Sequence, residues 1–107
     1  MAPRMTTSVL KVAAALLADP AAERYGLQLM QATGLPSGTL YPILVRLERA
    51  GWVESHWEQT DPAAEGRPAR RYYRLTPDGA VEARREVAAM QQQMARVVTP
   101  GAEAQPA

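Results

Sequence analysis

The sequence predicts a mainly α fold with a small β component, α+β in class, on three observations. Three stretches in the first half repeat apolar residues at helical spacing and are punctuated by Pro and Gly. Two short stretches in the middle alternate or are rich in aromatics, as strands are. A final stretch, 77–98, keeps a seven-residue apolar repeat. At 107 residues the chain has the length of one domain, and much of its 47% hydrophobic content is alanine, with no Phe.

The first helix is expected to start after Thr7 or Ser8, either an acceptable N-cap, and to run to about Asp19. Val9, Val12, Ala13, Leu16 and Leu17 form its inward stripe. Pro20 ends it by excluding the preceding residue from α geometry. A second helix over roughly 23–33 turns Leu27, Met30 and Tyr25 inward, with Gly34 as its C-cap. The third helix is read from "LPSGTLYPILVRLERAGWV", 35–53, closed by Gly51, with Leu40, Ile43, Leu44 and Leu47 facing the core. Its start is open between Ser37 and Thr39. With Thr39 as the cap, Pro42 falls in the first turn at little cost; with Ser37, it removes a bond to Gly38 and bends the helix slightly. Two short helices joined by a tight Gly-containing turn make a helix-turn-helix.

Residues 52–60 alternate, Val53 and Trp57 on one side and Glu54, His56 and Glu58 on the other. In "RRYYRL", 70–75, Tyr73 and Leu75 share a face. The connection "DPAAEGRPA" is too long for a tight hairpin and too polar to bury, so it is expected as a flexible tip. Three helices followed by a two-stranded ribbon make a winged helix-turn-helix, expected over 1–76.

Thr76 as N-cap, Pro77 at the first helical position and Asp78 in the first turn open the last helix. Ala80, Ala83, Val87, Met90, Met94 and Val97 are spaced as a and d positions. At 1.5 Å per residue the helix is about 33 Å long, and a compact winged core covers only its first half. A homodimer seam through Ala83, Val87, Met90, Met94 and Val97, with helix 1 contributing, is therefore expected. The alternative is an amphipathic helix packed on its own domain. Residues 99–107, small, polar and Pro-containing, are expected to be a disordered tail.

The charge is informative by position. Net charge is +1, yet residues 66–76 carry Arg67, Arg70, Arg71 and Arg74 and no acid. Nearly all the basic residues are arginine, the side chain suited to planar, bidentate contacts with phosphate and bases. The absence of Cys removes disulfides, Cys-based metal sites and thiol chemistry. His56 is the single imidazole, so no metal or other cofactor is expected. No acid–His pair, phosphate loop or placed carboxylate pair suggests an enzyme. The longest apolar run, "VAAALLA", is far short of the roughly 20 residues of a membrane span, and the expected location is the cytoplasm.

A helix entering the DNA major groove needs short polar groups at its N-terminal end. Ser37 and Thr39 supply hydroxyls, Gly38 permits close backbone approach, and Tyr41 and Arg46 reach phosphate, sugar or base edges from the same side. Arg67, Arg70 and Arg71 in the ribbon lie where a minor groove or flanking phosphates would run. A winged module that binds protein instead would carry an acidic or apolar outer face on helix 3 and no arginine cluster.

At these residues the chain resembles the PadR family of bacterial transcriptional regulators. The resemblance rests on Gly38-Thr39-x-Tyr41-Pro42, Arg46-Leu47-Glu48, Gly51, Trp57, Gly66-Arg67-Pro68, Arg71-Tyr72-Tyr73 and Leu75-Thr76, with "YGLQL" at the second helix. It extends over about 37–79 and adds Pro42 to the candidate DNA-contacting residues. Length and the single final helix look like the short subfamily, whose members dimerise through that helix and helix 1. The resemblance implies a homodimeric repressor on an inverted-repeat operator of double-stranded DNA, released by a small effector. Aromatic residues that hold ligands in some members have no counterpart in the last helix, whose seam offers Met90 and Met94.

Overall fold

The computed structural model describes residues 3–98. Along the chain run α1 (Thr7–Leu17), β1 (Arg24–Tyr25), α2 (Gly26–Thr33), α3 (Ser37–Arg49), β2 (Val53–Trp57), α4 (Pro62–Glu65), β3 (Arg71–Leu75) and α5 (Pro77–Val98). The winged helix-turn-helix is present, with a sheet of three strands where two were expected. The tail expected over 99–107 lies outside the described residues.

The cap of α1 is Thr6, one residue before the expected pair, and its hydroxyl accepts the Val9 N–H at 3.2 Å. Val9, Val12, Ala13 and Leu16 are buried, while Leu17 sits half-covered at the core's edge. The helix stops before Asp19, because Pro20 denies that residue α geometry.

The stretch expected as the start of α2 is a strand instead. Arg24 and Tyr25 pair antiparallel with Tyr73 and Tyr72 and give the sheet its order β1-β3-β2. Two residues carry no readable periodicity, so only the ladder reveals them. With α2 starting at Gly26, its inward residues are Gly26 and Leu29, three apart on the face toward α3. Leu27, expected inside, is 53% exposed. Gly34 closes the helix at φ +73°, its N–H reaching the Met30 carbonyl at 2.8 Å, as expected.

The cap of α3 is neither Ser37 nor Thr39. Pro36, extended at ψ 160°, takes that place, and its carbonyl accepts the N–H groups of Thr39 and Leu40 at 3.0 and 2.9 Å. Pro42 therefore lies in the second turn, where its missing N–H leaves the exposed Gly38 carbonyl without its i+4 donor. Leu40, Ile43, Leu44 and Leu47 still hold the helix firmly, since all four are buried.

In the sheet Val53 faces Leu75, Ser55 faces Tyr73 and Trp57 faces Arg71. Val53, Tyr73 and Leu75 close the core from below. Trp57 shares their side of the strand but lies past the core's edge, where it is 58% exposed. The first half of α5 packs into the same core as α1 through Ala80 and Ala83. Its last eight residues, 91–98, are all exposed.

Candidate nucleic-acid interface

The N-terminal end of α3 offers its polar groups outward. Ser37, Gly38, Tyr41, Pro42 and Arg46 are exposed and Thr39 is half-buried. Nothing lies within 4 Å of where a Gly38 side chain would begin, so that backbone is open to a close approach. Arg46 stays on its own helix, its Nε donating to the Pro42 carbonyl at 3.4 Å. Tyr41 turns toward α2 and lies against Gly26, where any Cβ would collide with its hydroxyl end. That end of a flexible side chain can step aside, so the contact favours a small residue at the first position of α2 without requiring glycine.

The ribbon's tip is built rather than loose. Asp61 caps the single turn α4 by accepting the Ala63 N–H at 3.0 Å, and Gly66 ends it at φ +70°. Glu58 then draws the tip back to the sheet. Its carboxylate accepts from both terminal nitrogens of Arg67, at 2.7 and 3.1 Å, from the Arg70 backbone N–H at 3.2 Å and from the Tyr72 hydroxyl at 3.4 Å. The connection expected as a flexible tip thus carries a single helical turn and, at its base, this knot, which no sequence pattern advertised.

The Arg67 hydrogen bonds, together with the Arg70 backbone N–H and against the cost of desolvation, lower the Glu58 carboxyl from 4.5 to about 2. A carboxylate held below its unfolded value stabilises the fold fully above about 4.5, and that contribution disappears as pH falls toward 2. The wing is therefore expected to loosen in that interval. Hydrogen exchange at the Arg70 amide checks it: protection should drop across the window in the native chain and lose that pH dependence in Glu58→Gln. Equal protection of the native chain at both ends of the window would contradict the assignment.

The four ribbon arginines have different surroundings. Arg67 is committed to Glu58, and Arg74 to Glu54 at 2.5 Å with Glu23 at 3.8 Å. Arg71 lies over the Trp57 ring at 5.2 Å and reaches Glu48 only at 3.8 Å. Arg70 stacks on Tyr25 at 4.1 Å from the ring centre and has no ion pair among the described residues. The acid-free run of the sequence thus acquires carboxylates in space, but Arg70 and Arg71, both half-buried, rest on aromatic supports, and neither guanidinium has a carboxylate closer than the 3.8 Å of Glu48 among the described residues. Between the ribbon and the α2–α3 pair runs an open groove of about 570 Å³. It brings Tyr41 together with Arg67, Arg70 and Arg71, and its lining contains no carboxylate. Ser37, Gly38 and Arg46 stand outside it, along α3.

The expected seam on α5 divides. Ala83 is fully buried inside its own protomer, because α1 already covers it, and it is removed from any intermolecular surface. Val87 is half-buried, whereas Met94 is 51% and Val97 69% exposed. Val87, Met90 and Met94 line a groove of about 360 Å³ with Leu10 and Ala14 of α1. His56 sits on the outer sheet face, 3.3 Å from Glu23 and stacked on Tyr72.

A helix-turn-helix with an arginine-bearing wing beside its third helix defines a winged helix-turn-helix regulator of the DNA-binding kind. Residues 15–85 match the transcriptional regulator PadR-like family, and the chain belongs to that family. It is therefore a transcriptional regulator and not an enzyme. Among solved structures it is similar to smu.1704 from Streptococcus mutans UA159, at 27% identity and TM-score 0.64 over 90% of this chain and 93% of that one. A PadR family regulator from Eggerthella lenta is 28% identical, TM-score 0.63, over 83% and 78% of the two chains. A mutant MarR from E. coli, at 21% identity, shares the fold, with TM-score 0.73 over 91% of this chain and 65% of that one. No curated protein matches the chain. Among the described residues no helix is long and apolar enough to cross a membrane.

Proposed function

We propose that the chain is a homodimeric repressor that binds an inverted-repeat operator and is released by a small effector. The observation that carries the DNA reading is the groove joining Tyr41 of α3 to Arg70 and Arg71 of the wing with no carboxylate in its lining. In this reading α3 enters the major groove, where Ser37 and Thr39 offer hydroxyls and Gly38 admits the base edges closely. Tyr41 and Arg46 reach phosphate or base from the same helix, and Pro42 keeps the Gly38 carbonyl free to take a donor. Arg70 and Arg71 meet flanking phosphates or the minor groove. Arg67 contributes charge too, but mainly fixes the wing through Glu58.

The dimer reading rests on the exposed second half of α5. A stripe through Met90, Met94 and Val97, continued by Val87 and by Leu10 of α1, is apolar surface that water would otherwise cover. A second copy crossing there spaces two α3 helices for the two halves of one operator. Selection of bound fragments from genomic DNA tests the whole reading. The expected product is an inverted repeat with half-sites about one helical turn apart, bound by two protomers in sedimentation. Recovery of unrelated fragments with no shared repeat would overturn it.

A further inference from the structure

Three large side chains that ordinary globular packing would cover stand open beside the wing. Leu27 on α2, Tyr41 on α3 and Trp57 at the end of β2 are 53%, 42% and 58% exposed, and all three line the groove already described. Scattered exposed apolar residues need no explanation, but three converging on one groove do. The groove's charge is also one-sided, with Arg67, Arg70 and Arg71 and no carboxylate in its lining. Arg71 lies over Trp57, so an apolar ring and a cation are presented as one unit.

An apolar lining that also carries cations complements a chain that alternates apolar rings with anions. A nucleic-acid strand is such a chain: its deoxyriboses present carbon edges and its phosphates one negative charge each. We propose that this groove seats one sugar–phosphate strand of the duplex, its deoxyriboses against Leu27 and Trp57 and its phosphates on Arg70 and Arg71. The proposal rests on the DNA-binding reading and adds Trp57 and Leu27 to it as contact residues. Neither carries charge, so their contribution does not depend on counterion release.

Two measurements on the full chain with its selected duplex test this. Trp52 is buried and Trp57 exposed, so acrylamide quenching of the free protein reports mainly on Trp57. Duplex binding should shield that fluorescence from acrylamide. Separately, Trp57→Ala and Leu27→Ser should each weaken binding, by roughly tenfold for Trp57→Ala from the apolar area lost. Plotted against salt on logarithmic axes, these variants should run parallel to the native protein. A bound complex in which Trp57 stays as open to acrylamide as in the free protein overturns the proposal and leaves DNA binding standing. A variant line with a shallower slope overturns the sugar contact, because Trp57 would then act only by holding Arg71. Shielding that follows protein concentration without duplex makes a second copy the occupant, and shielding by benzoate but not duplex makes it a small aromatic anion; either overturns the proposal. Failure of the native chain to bind any duplex overturns both readings.

Discussion

Gly79→Ala is expected to cost about 2–3 kcal/mol, the range of overpacking against atoms that cannot step aside. A Cβ at Gly79 would fall inside the Trp52 carbonyl, a backbone group rather than the end of a flexible side chain. That carbonyl is held where it is, since it accepts the Thr76 N–H at 2.9 Å and the Thr76 hydroxyl at 3.3 Å. Thr76 in turn caps α5, donating to the Gly51 carbonyl at 2.7 Å while accepting the Gly79 N–H at 2.9 Å. To admit one methyl group, the start of α5 must swing away from β2 and break this knot. In a domain of this size the loss corresponds to a fall in Tm of roughly 10–20 °C, read at fixed protomer concentration. Gly38→Ala is the internal control. It meets nothing within 4 Å and lies in a helix, so it should leave stability equal or higher while DNA affinity falls. Equal Tm for Gly79→Ala and the native chain would refute the close-approach account.

The two glycines also mark what the sequence can and cannot disclose. Gly38 stands out because its neighbours are polar and exposed, and a reader of the sequence asks what it clears. Gly79 follows Pro77 and Asp78 at a helix start and raises no question, because its reason is a carbonyl 27 positions away. The helices that carry a one-sided apolar stripe, α1, α3 and α5, were legible for the same physical reason that they fold. Helix α2 was less so: it is short, and pulling Arg24 and Tyr25 into the sheet leaves Leu29 inside and Leu27 outside. The candidate interface shows the same division. Arginine enrichment in the wing is a local property and can be counted. Which of those arginines stay free is decided by antiparallel register, which sets Glu54 against Arg74 and brings Glu58 to Arg67. Glu48, reaching Arg71 and Ser55 from α3, comes from a different element altogether.

That division decides how the wing should be tested. Replacing Arg70 and Arg71 together by Ala is expected to weaken duplex binding on the order of 10²-fold near 0.1 M salt, whatever the sequence. Each lost phosphate contact lowers the salt slope by about one, so two per protomer should flatten it by roughly four in a dimer. Arg67 is better left in place for this experiment. Its removal would leave Glu58 with an uncompensated carboxylate at the base of the wing, and the resulting loosening would be mistaken for lost phosphate contact. Arg70 and Arg71 rest instead on the rings of Tyr25 and Trp57, which remain well placed when the guanidinium is gone. Thermal unfolding of the double variant should accordingly match the native chain within a few degrees. Thr39→Ala and Tyr41→Phe should behave differently, lowering operator affinity more than non-specific affinity and leaving the slope nearly unchanged, because they remove hydroxyls and no charge. A double variant that kept the native affinity and slope would remove the wing from the DNA surface and leave α3 to bind alone.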